Sequence, residues 1–275
     1  MRQRRTVFFV SDQTGVTAET MGHSLLTQFE SLDFRPVTLP FITSLDKARE
    51  AVEKIDQAAR EEGARPVVFA TFVNNNVRDA VRRADCLFLD FFAAFLDPLE
   101  AEFGQPSAHV LGRAHGVTDL TAYTMRINAT NFALANDDGA QTRDYDHADV
   151  ILLGVSRSGK TPTCVYMAIQ YGAFAANYPL TEEDLDGSRL PAAVKPYHSK
   201  LFGLTIEPGR LQQIRQERRP DSRYSSPQQC AYEVRAAEQL FERNGVPFLE
   251  TTDCSIEEIA SRVLERLSIP RRVRP

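Results

Sequence analysis

The chain has no tryptophan and only four cysteines in 275 residues: Cys86, Cys164, Cys230 and Cys254. They are widely spaced and form no Cys-x-x-Cys pair, which excludes a disulfide-stapled secreted scaffold and a cysteine-rich metal centre. Reduced, mostly buried thiols and a cytoplasmic location are the expectation. Long apolar runs are also missing. Behind the basic start Met1-Arg2-Gln3-Arg4-Arg5-Thr6 comes only Val7-Phe8-Phe9-Val10, too short for a secretory signal, and no stretch approaches a membrane span. Positive charge is in deficit: 32 Lys and Arg stand against 37 Asp and Glu, a net charge of −5. That removes any global electrostatic case for binding nucleic acid or a membrane surface. There is no internal repeat and no low-complexity segment. The five histidines, His23, His109, His115, His147 and His198, show no metal-ligand spacing and read as structural or surface groups. Gly112-Arg113-Ala114-His115-Gly116 is a candidate cleft lining.

What is present is an alternation of strand-like and helix-like segments. Val7–Val10, Arg35–Ile42, Pro66–Thr71 and Cys86–Asp90 read as strands. Helices are expected over Thr17–Phe29, Asp46–Arg60, Val77–Ala84 and Phe91–Phe103. Strands that are near-continuous apolar runs belong to sheets covered on both faces, so the first half is expected to be an α/β domain with a doubly wound, mostly parallel sheet. The polar segment Gly104–Ala148 carries a helix over Thr118–Ala135 and the turn Asn136-Asp137-Asp138-Gly139. The domain junction is placed near Asp144, giving 1–144 as an N-terminal α/β domain and 145–275 as a P-loop kinase-like α/β domain. In the second half Val150–Leu153, Lys200–Ile206 and Val246–Glu250 read as strands. Cys164–Gln170, Leu211–Arg218 and Gln228–Asn244 read as helices. Asn177–Asp184 reads as an acidic surface stretch. Ser255-Ile256-Glu257-Glu258 is a capping box that opens a last helix to Leu267.

The densest chemical signal is Gly154-Val155-Ser156-Arg157-Ser158-Gly159-Lys160-Thr161, a complete G-x-x-x-x-G-K-[ST] string between an apolar run and a helix. Glycines let the backbone curl so that successive N–H groups face phosphate oxygens, and the following helix adds its positive end. Lys160 would reach the terminal phosphates, and the Thr161 hydroxyl suits magnesium. Arg157 lies inside the loop and points to solvent or to a target.

Arg210, Arg215, Arg218, Arg219 and Arg223 form a basic cluster. Guanidinium forks bind phosphate oxygens in pairs, so Arg215, Arg218, Arg219 and Arg223 are candidates for a phosphate clamp; the alternative is a solvated helix face. Asp137-Asp138-Gly139 is a turn by residue type, and its place before the P-loop strand makes Asp137 and Asp138 candidates for a base or metal role. Ser11-Asp12-Gln13-Thr14-Gly15 ends the first strand, where α/β sheets bind ligands, and reads equally as a capped turn.

Taken together, Val10–Gly15, Phe132–Gly139, Ala148–Thr163, Ala175–Leu180, Lys200–Thr205 and Ile214–Tyr224 resemble the regulatory proteins of phosphoenolpyruvate synthase and of pyruvate, phosphate dikinase. The resemblance runs from Val7 to Leu267. Gly159 and the Ala-Asn-Tyr-Pro-Leu string are nearer the synthase branch. It implies a bifunctional enzyme. One reaction moves the β-phosphate of ADP onto a threonine of the synthase, inactivating it and releasing AMP. The other removes that phosphate with inorganic phosphate, yielding pyrophosphate. The resemblance also suggests a homodimer. Two other readings of the loop stay open: a P-loop kinase for a small metabolite, and a nucleotide-gated binding module without chemistry.

Overall fold

Thr6 to Ser11 are buried without interruption, as a strand covered on both faces requires. The computed structural model describes residues 4–108, 120–139, 142–187 and 189–273. In it this run is the core of β1 (Arg4–Ser11). Strand β1 lies between β2 (Asp33–Leu39) and β3 (Val67–Thr71), with β4 (Leu87–Asp90) outside β3, all parallel in the order β2-β1-β3-β4. Helices α1 (Val16–Leu26), α2 (Leu45–Glu62) and α3 (Asn75–Val81) make the crossovers, and α4 (Phe91–Phe103) follows β4. Alternate residues of β1 and β3 face opposite layers. Phe8, Val10, Val68 and Ala70 pack with Ala51 and Ile55 of α2 and Val77 of α3. Val7, Phe9 and Phe69 pack with Ala18 and Leu26 of α1 and Phe91 of α4. The sheet is therefore doubly wound, as expected.

A second parallel sheet follows, in the order β6-β5-β7-β8. Its strands are β5 (Val150–Gly154), β6 (Ala175–Pro179), β7 (Leu201–Thr205) and β8 (Phe248–Glu250). Around it run α5 (Leu120–Ala135), α6 (Lys160–Tyr171), α7 (Glu182–Asp186), α8 (Pro208–Arg218), α9 (Pro227–Asn244) and α10 (Ile256–Arg266). Strand β5 is buried at every position. Ile151 and Leu153 pack toward Leu211 of α8 and Val234 and Phe241 of α9. Val150 and Leu152 pack toward Ala133 of α5, Met167 of α6 and Val263 of α10.

The chain divides into two compact units, Met1–Gly116 and Val117–Pro275. The junction expected near Asp144 lies inside the second unit, because α5 packs on α6. Strand β6 has no counterpart in the sequence reading, which treated Asn177 onward as surface. Alanine, asparagine and proline are poor strand formers, and the strand exists because its backbone pairs with β5, Leu152 opposite Asn177. Helix α6 starts at Lys160 rather than Cys164, with Pro162 in its first turn, where a missing N–H costs nothing. The α10 capping box forms as read, Ser255 with Glu258. His109, the Gly112–Gly116 string with His115, and the Thr118 helix start fall outside the described residues. Cys86, Cys164 and Cys230 are buried thiols, and Cys254 is half-buried. Among the described residues no helix is long and apolar enough to cross a membrane.

Candidate active site

Strand β5 ends at Gly154, and the chain turns there because only glycine fits. A Cβ at this position would run into the carbonyl oxygen of Leu204 on β7 and lie 2.7 Å from Ser158 Oγ. The Gly154 carbonyl accepts the Leu180 N–H at 3.1 Å, so the turn is tied to the chain leaving β6. Arg157, exposed at the crest, has the left-handed φ of 77°. Gly159 caps α6 at φ 91° with no side-chain cap, and an added Cβ there would meet nothing within 4 Å. Space beside Gly159 is therefore open at the N-terminal end of α6, the end of a helix that favours anions. Ser158 contributes a buried hydroxyl with no partner among the described residues.

Lys160 is 5% exposed and donates from Nζ to the Val155 carbonyl at 2.8 Å. Burial pushes its pKa down to about 8, while the negative charges of Asp138 and Asp137 pull it back up. The ammonium is held inside the loop by the Val155 carbonyl.

The acidic wall comes from the turn after α5. Asp137 Oδ1 accepts from Thr161 Oγ1 at 2.9 Å and from Asn177 Nδ2 at 2.6 Å. Asn177 Nδ2 also donates to Thr161 Oγ1 at 2.9 Å and to Asp138 Oδ1 at 3.4 Å. The turn is fixed to β6 by backbone bonds on both sides of these carboxylates. Asn177 N donates to Asn136 O, and Gly139 N donates to Asn177 O, each at 3.0 Å. Asp138 itself is exposed and takes a left-handed φ of 52°. The sequence candidates Asp137, Asp138, Lys160 and Thr161 therefore come together. Their oxygens form a hard donor set, the kind that suits magnesium.

The arginine cluster does not arrive as a unit. Arg215, expected as a phosphate clamp, is fully buried beneath the loop. Nη2 donates to the Ser156 carbonyl at 3.1 Å and to Glu233 Oε2 at 2.6 Å, Nη1 donates to the Tyr224 carbonyl at 3.1 Å, and the guanidinium lies 4.2 Å from the Tyr224 ring centre. The correction has a physical basis: a guanidinium on the inner face of α8 needs a carboxylate, and α9 supplies it. Burial opposes the charge, and the hydrogen bond and charge of Glu233 outweigh it, so the Arg215 pKa rises. Arg223 is exposed and pairs with Glu182 at 3.2 Å. Arg218 and Arg219 are exposed and form no ion pair among the described residues. The Ser11–Gly15 segment is the turn into α1, where Asp12 Oδ2 accepts from Val73 N and Asn74 N at 2.8 and 3.0 Å.

Sequence reasoning missed Asn177 and Glu233 as site residues. Each is a polar side chain inside an otherwise apolar layer, a signal that becomes visible only once the strand or helix face is known.

Residues 7–264 match the family model described as kinase/pyrophosphorylase. The chain belongs to that family. A protein of Alcanivorax borkumensis is 54% identical over 270 residues, covering 98% of this chain and 99% of its own. One from Marinobacter nauticus is 53% identical over 268 residues, and one from Hahella chejuensis is 50% identical over 271. All three carry the same provisional name, phosphoenolpyruvate synthase regulatory protein. The kinase/pyrophosphorylase match spans both sheets, so the loop and its acidic wall sit within the shared architecture.

Proposed function

We propose that the chain is a bifunctional regulator of phosphoenolpyruvate synthase. It transfers the β-phosphoryl of ADP to a threonine of that enzyme, releasing AMP. It also removes the phosphoryl by attack of inorganic phosphate, releasing pyrophosphate. The observation that carries this is the glycine-bounded turn Gly154–Thr161, with a buried lysine inside it and the carboxylates Asp137 and Asp138 beside it. Both directions handle a diphosphate, so one cradle serves both.

In the forward step the loop N–H groups and Lys160 hold the diphosphate and stabilise charge on the moving phosphoryl. The threonine oxygen bonds to the β-phosphorus as its bond to the AMP oxygen breaks. The threonine proton passes to Asp138, the exposed carboxylate, while Asp137 stays engaged with Thr161. In the reverse step a phosphate oxygen attacks the phosphothreonine phosphorus, and Asp138 returns a proton to the leaving threonine. Magnesium, when bound, supplies positive charge at the phosphate oxygens; Thr161 and Asp137 are the residues that would hold it. Arg218 and Arg219 are free to meet phosphate or an acidic segment of the target.

The test uses purified phosphoenolpyruvate synthase and ADP labelled in the β-phosphate. The wild type should place label on protein and release AMP. Lys160→Ala should lower both reactions by about 10²–10³-fold, the scale of losing one transition-state donor. Asp138→Asn should slow phosphorylation and leave ADP binding intact. Loss of phosphorylation with full retention of phosphorolysis in Lys160→Ala would overturn the shared cradle. Label on a small metabolite instead of protein would replace the regulator with a metabolite kinase, and ADP binding without AMP release would leave only a binding module.

A further inference from the structure

Strand β6 reads Ala-Ala-Asn-Tyr-Pro, and its central residue is an asparagine that is 1% exposed. A buried amide is unfavourable unless its groups are paired, and valine would serve the strand better. The amide is paired in an uneven way. Nδ2 points at Asp137 Oδ1 (2.6 Å), Thr161 Oγ1 (2.9 Å) and Asp138 Oδ1 (3.4 Å), which belong to two separate segments of chain. Oδ1 has no partner among the described residues. The amide's orientation follows from the chemistry: an ionised carboxylate only accepts, so an oxygen in place of Nδ2 at 2.6 Å would set two acceptors against each other.

From this geometry we infer that Asn177 is a positioning residue. It locks Asp137 and Thr161 into one preset pair of oxygens for the divalent cation that accompanies the nucleotide. The inference rests on the function proposed above. Thr161 alone does not fix Asp137, because a single hydrogen bond from an exposed hydroxyl to a half-buried carboxylate is a weak restraint. The buried amide supplies the second point of attachment, and the strand's pairing with β5 fixes the amide. Outer-shell partners of this kind set ligand orientation, and their loss typically lowers metal affinity about 10–100-fold.

The test measures Mn2+ binding to the full chain in the presence of ADP, by electron paramagnetic resonance, together with ADP binding in EDTA. Asn177→Val raises strand propensity and keeps approximate volume while removing both polar groups; Asn177→Ala is the second variant, and circular dichroism checks that each is folded. The expected result is a loss of Mn2+ affinity of about tenfold or more with ADP binding in EDTA unchanged. Unchanged Mn2+ affinity in either folded variant would overturn the inference. So would an equal loss of ADP binding in EDTA, which would mean that Asn177 supports the cradle as a whole. If the wild type binds no ADP, the proposed function itself falls, and that outcome is distinct from the other two.

Discussion

Lys160 keeps its ammonium in a place nearly closed to water, and its pKa of about 8 against the usual 10.5 records the cost. Between those values the unfolded chain binds the proton and the folded chain does not. Stability therefore rises as pH climbs from about 8 toward 10.5, by at most about 3 kcal/mol. A bound diphosphate favours the charged form and restores the proton. ADP binding between pH 8 and 9 should thus take up a proton, and affinity should fall as pH rises through that range. Calorimetry in two buffers of different ionisation enthalpy reads this directly; a binding heat independent of buffer would count against a lysine–phosphate contact. At this scale the turn between β5 and α6 was legible from sequence, because Gly154 and Gly159 bound it within eight consecutive residues. Arg215 was not. Its charge reads as surface until the position of Glu233, eighteen residues away, is known.

Helices α8 and α9 act on the loop through one buried ion pair. Arg215 holds the Ser156 carbonyl only because Glu233 neutralises it from α9. Glu233→Ala leaves an unpaired buried guanidinium. Breaking such a pair costs about 3–5 kcal/mol, so a urea titration should show a loss of that order. ADP affinity should fall with it, although Glu233 is no part of the cradle's lining. Stability unchanged to within 1 kcal/mol would mean that Arg215 finds another partner. The helices themselves were readable from periodicity and caps, as Ser255 and Glu258 illustrate. Strand β6 was not readable, because Ala175, Asn177 and Pro179 argue against a strand locally and only pairing with β5 decides the matter.

Two parallel sheets, each with core on both faces, make up the molecule, and the Gly154–Thr161 loop belongs to the second. Urea unfolding is expected to resolve two transitions. Saturating ADP should move the transition of the second unit to higher urea and leave the other in place, by about 2.7 kcal/mol at a hundredfold excess over Kd. Tryptophan is absent, so the probes are tyrosine fluorescence and circular dichroism. A single transition shifted as a whole would show that the two units unfold together. The α/β class was legible from buried apolar runs such as Val7–Val10 and Val150–Leu153. The limit of the second unit was not, since composition alone cannot say which sheet α5 covers. Gly154, finally, is the last residue of a strand gripped by neighbours on either side, so the start of the loop moves only with its sheet. Under the proposed function, control then lies in which visitor reaches the loop first, nucleotide, free phosphate or phosphorylated partner.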